Sequence, residues 1–196
     1  MLINYYGHSY FLLQGDEYSI ALDPFKNVGL IEPKITADYV FKSHDHFDHN
    51  NLSLVSGAKL IDKSSGKFEI IQSYHDEVGG KKRGINNVLK FSLDGKTLVF
   101  MGDIGVIDKN VIEKTKNCDY LFIPVGGTYT IDEVLAKEYA IKINAKCVIP
   151  MHYKVDSSTV DVKSVTPFLN LFDSYVKVKS PYKTSGEERG VYNVEY

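Results

Sequence analysis

Short apolar runs broken by turn residues dominate the first part of the chain. Residues 2–6, 10–14 and 18–22 are rich in aromatic and branched side chains, and Gly7 and Gly15-Asp16 separate them, so they predict strands joined by tight turns. Tyr39-Val40-Phe41 predicts a brief buried strand that ends at a cluster of histidines. Further strands are predicted at residues 59–61, 69–73, 88–93, 97–101, 120–124, 147–150 and 191–194, with Asp94-Gly95 as a hairpin turn. Helical spacing comes later. Thr130-Ile131-Asp132-Glu133 has the form of a capping box and predicts a helix over residues 131–143, with Ile131, Val134, Leu135 and Ile141 on its apolar stripe. Thr166-Pro167 predicts a helix start running to about residue 175, and a shorter helix is expected over residues 108–116. Short strands interleaved with a few helices predict a layered α/β architecture. No repeat or interdomain linker interrupts the pattern, so residues 1–196 are expected to form one domain, with Gly79-Gly80-Lys81-Lys82-Arg83-Gly84 as its clearest flexible stretch.

Composition changes this picture little. In 196 residues, 43% hydrophobic and 24% charged content are those of an ordinary globular protein, and a net charge of −2 gives no global pull toward nucleic acid or an anionic membrane. The 2 cysteines, Cys118 and Cys147, each open an apolar run and read as core residues rather than metal ligands, which usually come in close pairs. The N-terminus lacks a basic start, and no run approaches the roughly 18 apolar residues of a membrane helix, so a reduced, cytoplasmic setting is expected.

The chemistry is concentrated. Of the 6 histidines, three fall in His44-Asp45-His46-Phe47-Asp48-His49. Histidine with carboxylate is the ligand set of a hydrolytic Zn²⁺, Fe²⁺ or Mn²⁺ site, and burying so many titratable groups without a cation is costly. A loop leaving the strand at Phe41 can turn His44 and His46 toward one metal and Asp48 and His49 toward a second.

This run resembles the His-x-His-x-Asp-His signature of the metallo-β-lactamase superfamily, and is most similar to the branch that includes the L-ascorbate-6-phosphate lactonases. Tyr6-Gly7-His8-Ser9, Leu22-Asp23-Pro24-Phe25 and Ile123-Pro124-Val125-Gly126-Gly127 extend the resemblance over about residues 6–153. It implies a four-layer αββα sandwich. It also implies two divalent metal ions, zinc foremost with iron or manganese as alternatives. His44, His46 and His75 would hold the first, Asp48, His49 and His152 the second, and Asp103 would bridge.

The expected reaction is hydrolysis, with a metal-bridging hydroxide attacking a carbonyl or phosphorus and Asp48 as the catalytic residue that orients it. The expected substrate is a small anionic ester, lactone or phosphoester. Lys81, Lys82 and Arg83 are candidates to receive its anionic group, and Tyr129 and Tyr153 to line its pocket. A nuclease acting on RNA is the alternative, disfavoured by the acidic balance. An iron-based redox or sensor protein is a further one, disfavoured because no ligand histidine is replaced by carboxylate. Asp23 could fix a histidine tautomer or simply end a strand, and His8 could line the pocket or bond the backbone of a neighbouring loop, the structural role being the preferred reading.

Overall fold

The computed structural model describes residues 1–63, 65–155 and 157–196. Its strands in chain order are β1 (Leu2–Tyr5), β2 (Phe11–Gln14), β3 (Ser19–Leu22), β4 (Ile35–Thr36), β5 (Tyr39–Phe41), β6 (Val55–Ser56), β7 (Lys59–Leu60), β8 (Phe68–Tyr74), β9 (Ile85–Leu93), β10 (Lys96–Phe100), β11 (Tyr120–Pro124), β12 (Cys147–Met151), β13 (Val176–Lys179), β14 (Tyr182–Lys183) and β15 (Gly190–Glu195). The helices are α1 (Lys109–Thr115), α2 (Glu133–Ile143) and the single turn α3 (Thr166–Leu169). One sheet runs in the order β14-β1-β2-β3-β5-β7, the other β13-β15-β12-β11-β10-β9-β8, and β4 pairs with β6 apart from both.

The period-two pattern of the first sheet explains its packing. Phe11, Leu13, Ile20, Leu22 and Phe41 point into the large core shared with the second sheet, while Leu12, Ala21 and Val40 join Tyr10, Phe25 and Leu54 in a smaller cluster on the other face. Central strands of the second sheet are buried on both faces, so all five residues of β11 and of β12 are buried and their sequences read as continuous apolar runs. The result is the layered α/β sandwich that the sequence predicts. Its outer layer over the first sheet is reduced to the 3₁₀ turn Leu52–Leu54 and the β4–β6 pair among the described residues.

Two helices differ from the sequence expectation. Asp132, not Thr130, caps α2, accepting from the N–H groups of Val134 and Leu135. Its buried face is Ala136, Tyr139, Ala140 and Ile143, whereas Val134 and Ile141 are exposed, because the Tyr139 ring enters the core and its hydroxyl donates to Val106 O while accepting from Asp108 N. α3 stops at Leu169, where Asn170 N donates back to Thr166 O and closes the single turn. The shorter helix starts where its sequence suggests, with the Asp108 carboxylate accepting from Asn110 and Val111. Both cysteines are free and buried, and burial pushes the Cys118 thiol up to about 12, which leaves it unreactive.

The topology has one consequence for chemistry. β1, β3, β5, β8, β10 and β12 all leave the sheets at one edge, carrying respectively His8, Asp23, the 44–49 loop, His75, Asp103 and His152. Two bridges lock the sheets together there. Asn87 donates from N and Nδ2 to Ser43 O (3.0 and 2.9 Å), and His152 N donates to His8 O at 2.7 Å.

Candidate metal centre

The backbone at this edge is unusually constrained. His8, Asp23 and His152 adopt positive φ (53°, 45° and 52°), which costs each of them of order 1 kcal/mol or more and is held only by surrounding contacts. Gly102, at φ 55°, lets the turn before Asp103 press against Asn86 and Ser43, where any Cβ would collide with both. Asn86 then secures that turn, accepting from Asp103 N and donating to Met101 O, each at 2.8 Å.

The side chains converge in two groups. The ligand atoms of His44, His46 and His75 lie within 4.8 Å of one another, and so do those of His8, Asp48, His49 and His152. Between them sits Asp103, whose Oδ2 is 3.3 Å from His75 Nε2, 3.2 Å from His49 Nε2 and 3.1 Å from His152 Nε2. Each sequence-predicted residue therefore joins one of these groups or stands between them. His8, read from sequence as structural, joins the second: its Nε2 is 3.2 Å from Asp48 Oδ2 and its ring is 4.2 Å from that of His152. Its signal in the sequence was weak, one histidine after a glycine with no partner nearby in the chain.

Hydrogen bonds orient the rings. Asp23, fully buried, accepts from Ser43 N and Ser43 Oγ at 2.6 Å and lies 2.7 Å from His49 Nδ1. A carboxylate only accepts, so His49 keeps a proton on Nδ1 against Asp23 and turns Nε2 toward Asp103. Because the Ser43 hydroxyl proton goes to Asp23, the 2.8 Å contact between Ser43 Oγ and His44 Nδ1 requires His44 to donate, leaving its Nε2 bare. Asp23 also lies close to His44 and His49 as a third potential group, but its oxygens are already engaged by Ser43 and His49. Ser43 and Asn86 were not legible as site residues in the sequence; a serine beside the motif and an asparagine inside an apolar strand are the only hints.

The electrostatics fit a cation. Burial pushes His8 down to about 3 and His44 to about 2, so both rings are neutral. Burial works against ionising Asp103, yet His152 and His49 hold it well below the ordinary carboxylate range. Burial likewise opposes charging His49, and Asp103 and Asp23 outweigh it. Asp48 is lowered despite burial by its bond from His8. Asp103 Oδ1, His49 Nε2, His75 Nδ1 and both ring nitrogens of His152 are buried with no hydrogen-bond partner among the described residues. Orphaned polar atoms in such number are rare in native interiors unless an ion or water satisfies them, so the donor set fits divalent metal.

His46, Phe47 and Asp48 are the solvent-facing part of the cluster, and with His75 and Asp103 they line a cleft of ≈ 710 Å³ that also includes Arg83 and Tyr129. Lys81 and Lys82 do not line it. Tyr153 turns away, its hydroxyl donating to Asn193 Oδ1 at 3.1 Å in the core.

A two-sheet α/β sandwich with histidines and aspartates gathered at one sheet edge defines a metallohydrolase-type scaffold. The chain belongs to the metallo-β-lactamase superfamily, since residues 2–152 match the profile of the Beta-lactamase superfamily domain. It is 29% identical to a UPF0173 metal-dependent hydrolase from Methanospirillum hungatei, over 87% of this chain and 91% of that protein. It is 28% identical to another from Carboxydothermus hydrogenoformans, over 78% and 84%. Among solved structures, a Thermotoga maritima protein classed with the Zn-dependent hydrolases of the superfamily superposes with a TM-score of 0.81 at 34% identity, covering 98% of this chain and 97% of that one. No helix among the described residues is long and apolar enough to cross a membrane.

Proposed function

We propose that this metal-dependent hydrolase cleaves a small anionic ester, lactone or phosphoester at a binuclear centre. His44, His46 and His75 would hold one ion, Asp48, His49 and His152 the other, and Asp103 would bridge them. The observation that carries the reading is the set of buried, unpartnered nitrogen and oxygen atoms around Asp103, whose Oδ2 lies within 3.3 Å of rings from both groups. Divalent ions bound there supply Lewis acidity and bring the pKa of water close to neutral.

The protein's own side chains have three tasks. Asp23 and Ser43 hold the Nδ1 sides of His49 and His44, so that the Nε2 atoms of both rings face inward. Asp103 stands between the two halves of the site, with its Oδ2 within 3.3 Å of rings from both. Asp48 stands at the cleft wall with Oδ2 held by His8, so it can keep a water oriented and carry its proton toward the leaving group. Bulk substrate enters from the open side, past His46 and Phe47.

A panel of lactones, thioesters, phosphodiesters and β-lactams offered to the zinc-loaded protein tests the reading. Hydrolysis of at least one class is expected, with loss on Asp103→Ala. A rate that survives this substitution overturns the mechanism.

A further inference from the structure

Resting on the hydrolase reading above, we infer that Arg83 is the anion anchor of the substrate cleft, and that the cleft takes a molecule with an apolar body on Phe47 and Tyr129 and a terminal oxyanion, carboxylate or phosphonate-like, on the guanidinium. Four observations converge on this.

The first is placement. Among the described residues, Arg83 is the only lysine or arginine lining the cleft that contains His46, Asp48, His75 and Asp103. Its neighbours in sequence are spent elsewhere or point away: Lys82 pairs with Glu77, and neither Lys81 nor Lys82 reaches the cleft.

The second is availability. Arg83 has no carboxylate within ion-pair distance among the described residues; its one side-chain hydrogen bond is a long one, Nη2 to Thr128 O at 3.3 Å. Its guanidinium carbon lies 5.7 Å from the Tyr129 ring centroid, so the aromatic ring limits the fork's orientation without neutralising it. A partly buried cation with this freedom suits bidentate recognition of an oxyanion.

The third is support. The glycine-rich stretch expected to be flexible is instead wound around the Asp76 carboxylate, which accepts from Val78 N and Gly80 N at 2.9 and 2.8 Å and from Lys82 N and Arg83 N at 2.9 and 2.8 Å. His75 N donates to Gly84 O at 3.1 Å, closing the loop directly beside a candidate ligand. Asp76 thus fixes the backbone of Arg83 relative to the metal cluster, and the side chain can be changed without breaking those four bonds.

The fourth is the apolar complement. Phe47 lies inside the ligand motif yet is 59% exposed, and Tyr129 is 38% exposed; both face the same cleft. Two large aromatic side chains left open on one cleft offer an apolar body an unfilled surface. Of the acidic residues on the wall outside the candidate ligand set, Asp45 is engaged by Lys42, and Asp161 remains.

Calorimetric titration of the zinc-loaded protein with 4-phenylbutyrate, 3-phenylpropylphosphonate and the neutral 4-phenylbutyramide tests the inference. Wild type is expected to bind the two anions more tightly than the amide. Arg83→Met should weaken the anions by roughly tenfold or more while leaving the amide unchanged, as for loss of a charge-assisted hydrogen-bonded pair. The relative affinity of carboxylate and phosphonate tells which oxyanion is preferred. Asp161→Asn should tighten both anions. Anion binding that is equal in wild type and Arg83→Met, with unfolding temperature unchanged, overturns the proposal, as does failure of wild type to prefer anions over the amide. Because binding is read without turnover, loss of the hydrolase reading would show as an Arg83-dependent anion site on a protein that hydrolyses no member of the substrate panel.

Discussion

The carboxylate of Asp23 and the imidazole of His49 meet at 2.7 Å with neither side chain exposed to solvent. This contact fixes the proton of His49 on Nδ1 and, through the Ser43 hydroxyl, that of His44 as well, so one buried carboxylate sets two tautomers. Asp23→Ala should therefore lower zinc affinity by roughly 10–100-fold, the usual scale for removing a carboxylate that orients a ligand histidine. Competition with a chromophoric chelator measures it. An affinity within twofold of wild type would mean that the rings are oriented without Asp23.

His8 touches the cluster at Asp48 rather than ending in the core. If its task is to hold Asp48 Oδ2, His8→Asn should keep its metal, tolerate the left-handed backbone at φ 53°, and lose turnover through kcat with KM little changed. Metal analysis beside steady-state kinetics decides. Loss of one ion on substitution would make His8 a ligand instead of a positioning residue.

Much of this arrangement was legible in the sequence. The strands β11 and β12 announce themselves because burial on both faces demands unbroken apolar runs, and Asp94-Gly95 forms the hairpin between β9 and β10, both residues at positive φ. The 44–49 run is dense enough to declare itself. What stayed hidden depended on long-range partners. β4, β6 and β14 are two residues each, and β13 is largely exposed, so they are made by pairing rather than by local pattern. Thr130 and Asp132 both offer a capping oxygen; Asp132 accepts from Val134 N and Leu135 N, while the Thr130 hydroxyl donates to Ile131 O. His8 and Arg83 gain meaning only from residues 40 and 45 positions away, Asp48 and Thr128.

Gly102, in the site's scaffold, combines a left-handed backbone with a Cβ direction blocked by Asn86 and Ser43. Gly102→Ala should destabilise the fold by about 2 kcal/mol or more, combining backbone strain with overpacking. Urea unfolding of the metal-free protein reads this directly. A loss under about 0.5 kcal/mol would show that the turn relaxes freely.

Away from the site, the Glu188 carboxylate accepts from Tyr182 Oη at 2.9 Å, from Ser185 N at 2.6 Å and from the Tyr120 hydroxyl. Burial pushes this carboxyl up, but those donors outweigh it and hold it at about 2, below its ordinary value near 4.5. A depressed carboxylate contributes stability that is present above its unfolded pKa and lost as pH falls through the folded one. After allowance for solvent screening, that contribution is roughly 1–2 kcal/mol at neutral pH. Glu188→Gln should lower the unfolding temperature at pH 7, and the gap to wild type should narrow from pH 4.5 toward pH 2. A gap that is constant over that range would show that the bonds do not depend on ionisation.

The central claim is a binuclear centre bridged by Asp103, and metal counting tests it most directly. Native mass spectrometry of the zinc-loaded protein should give two ions per chain in wild type, with occupancy falling on His75→Ala and on His152→Ala, and weak retention of either ion on Asp103→Ala. A single ion in wild type, or full occupancy that is indifferent to His152→Ala and Asp103→Ala, would contradict the account.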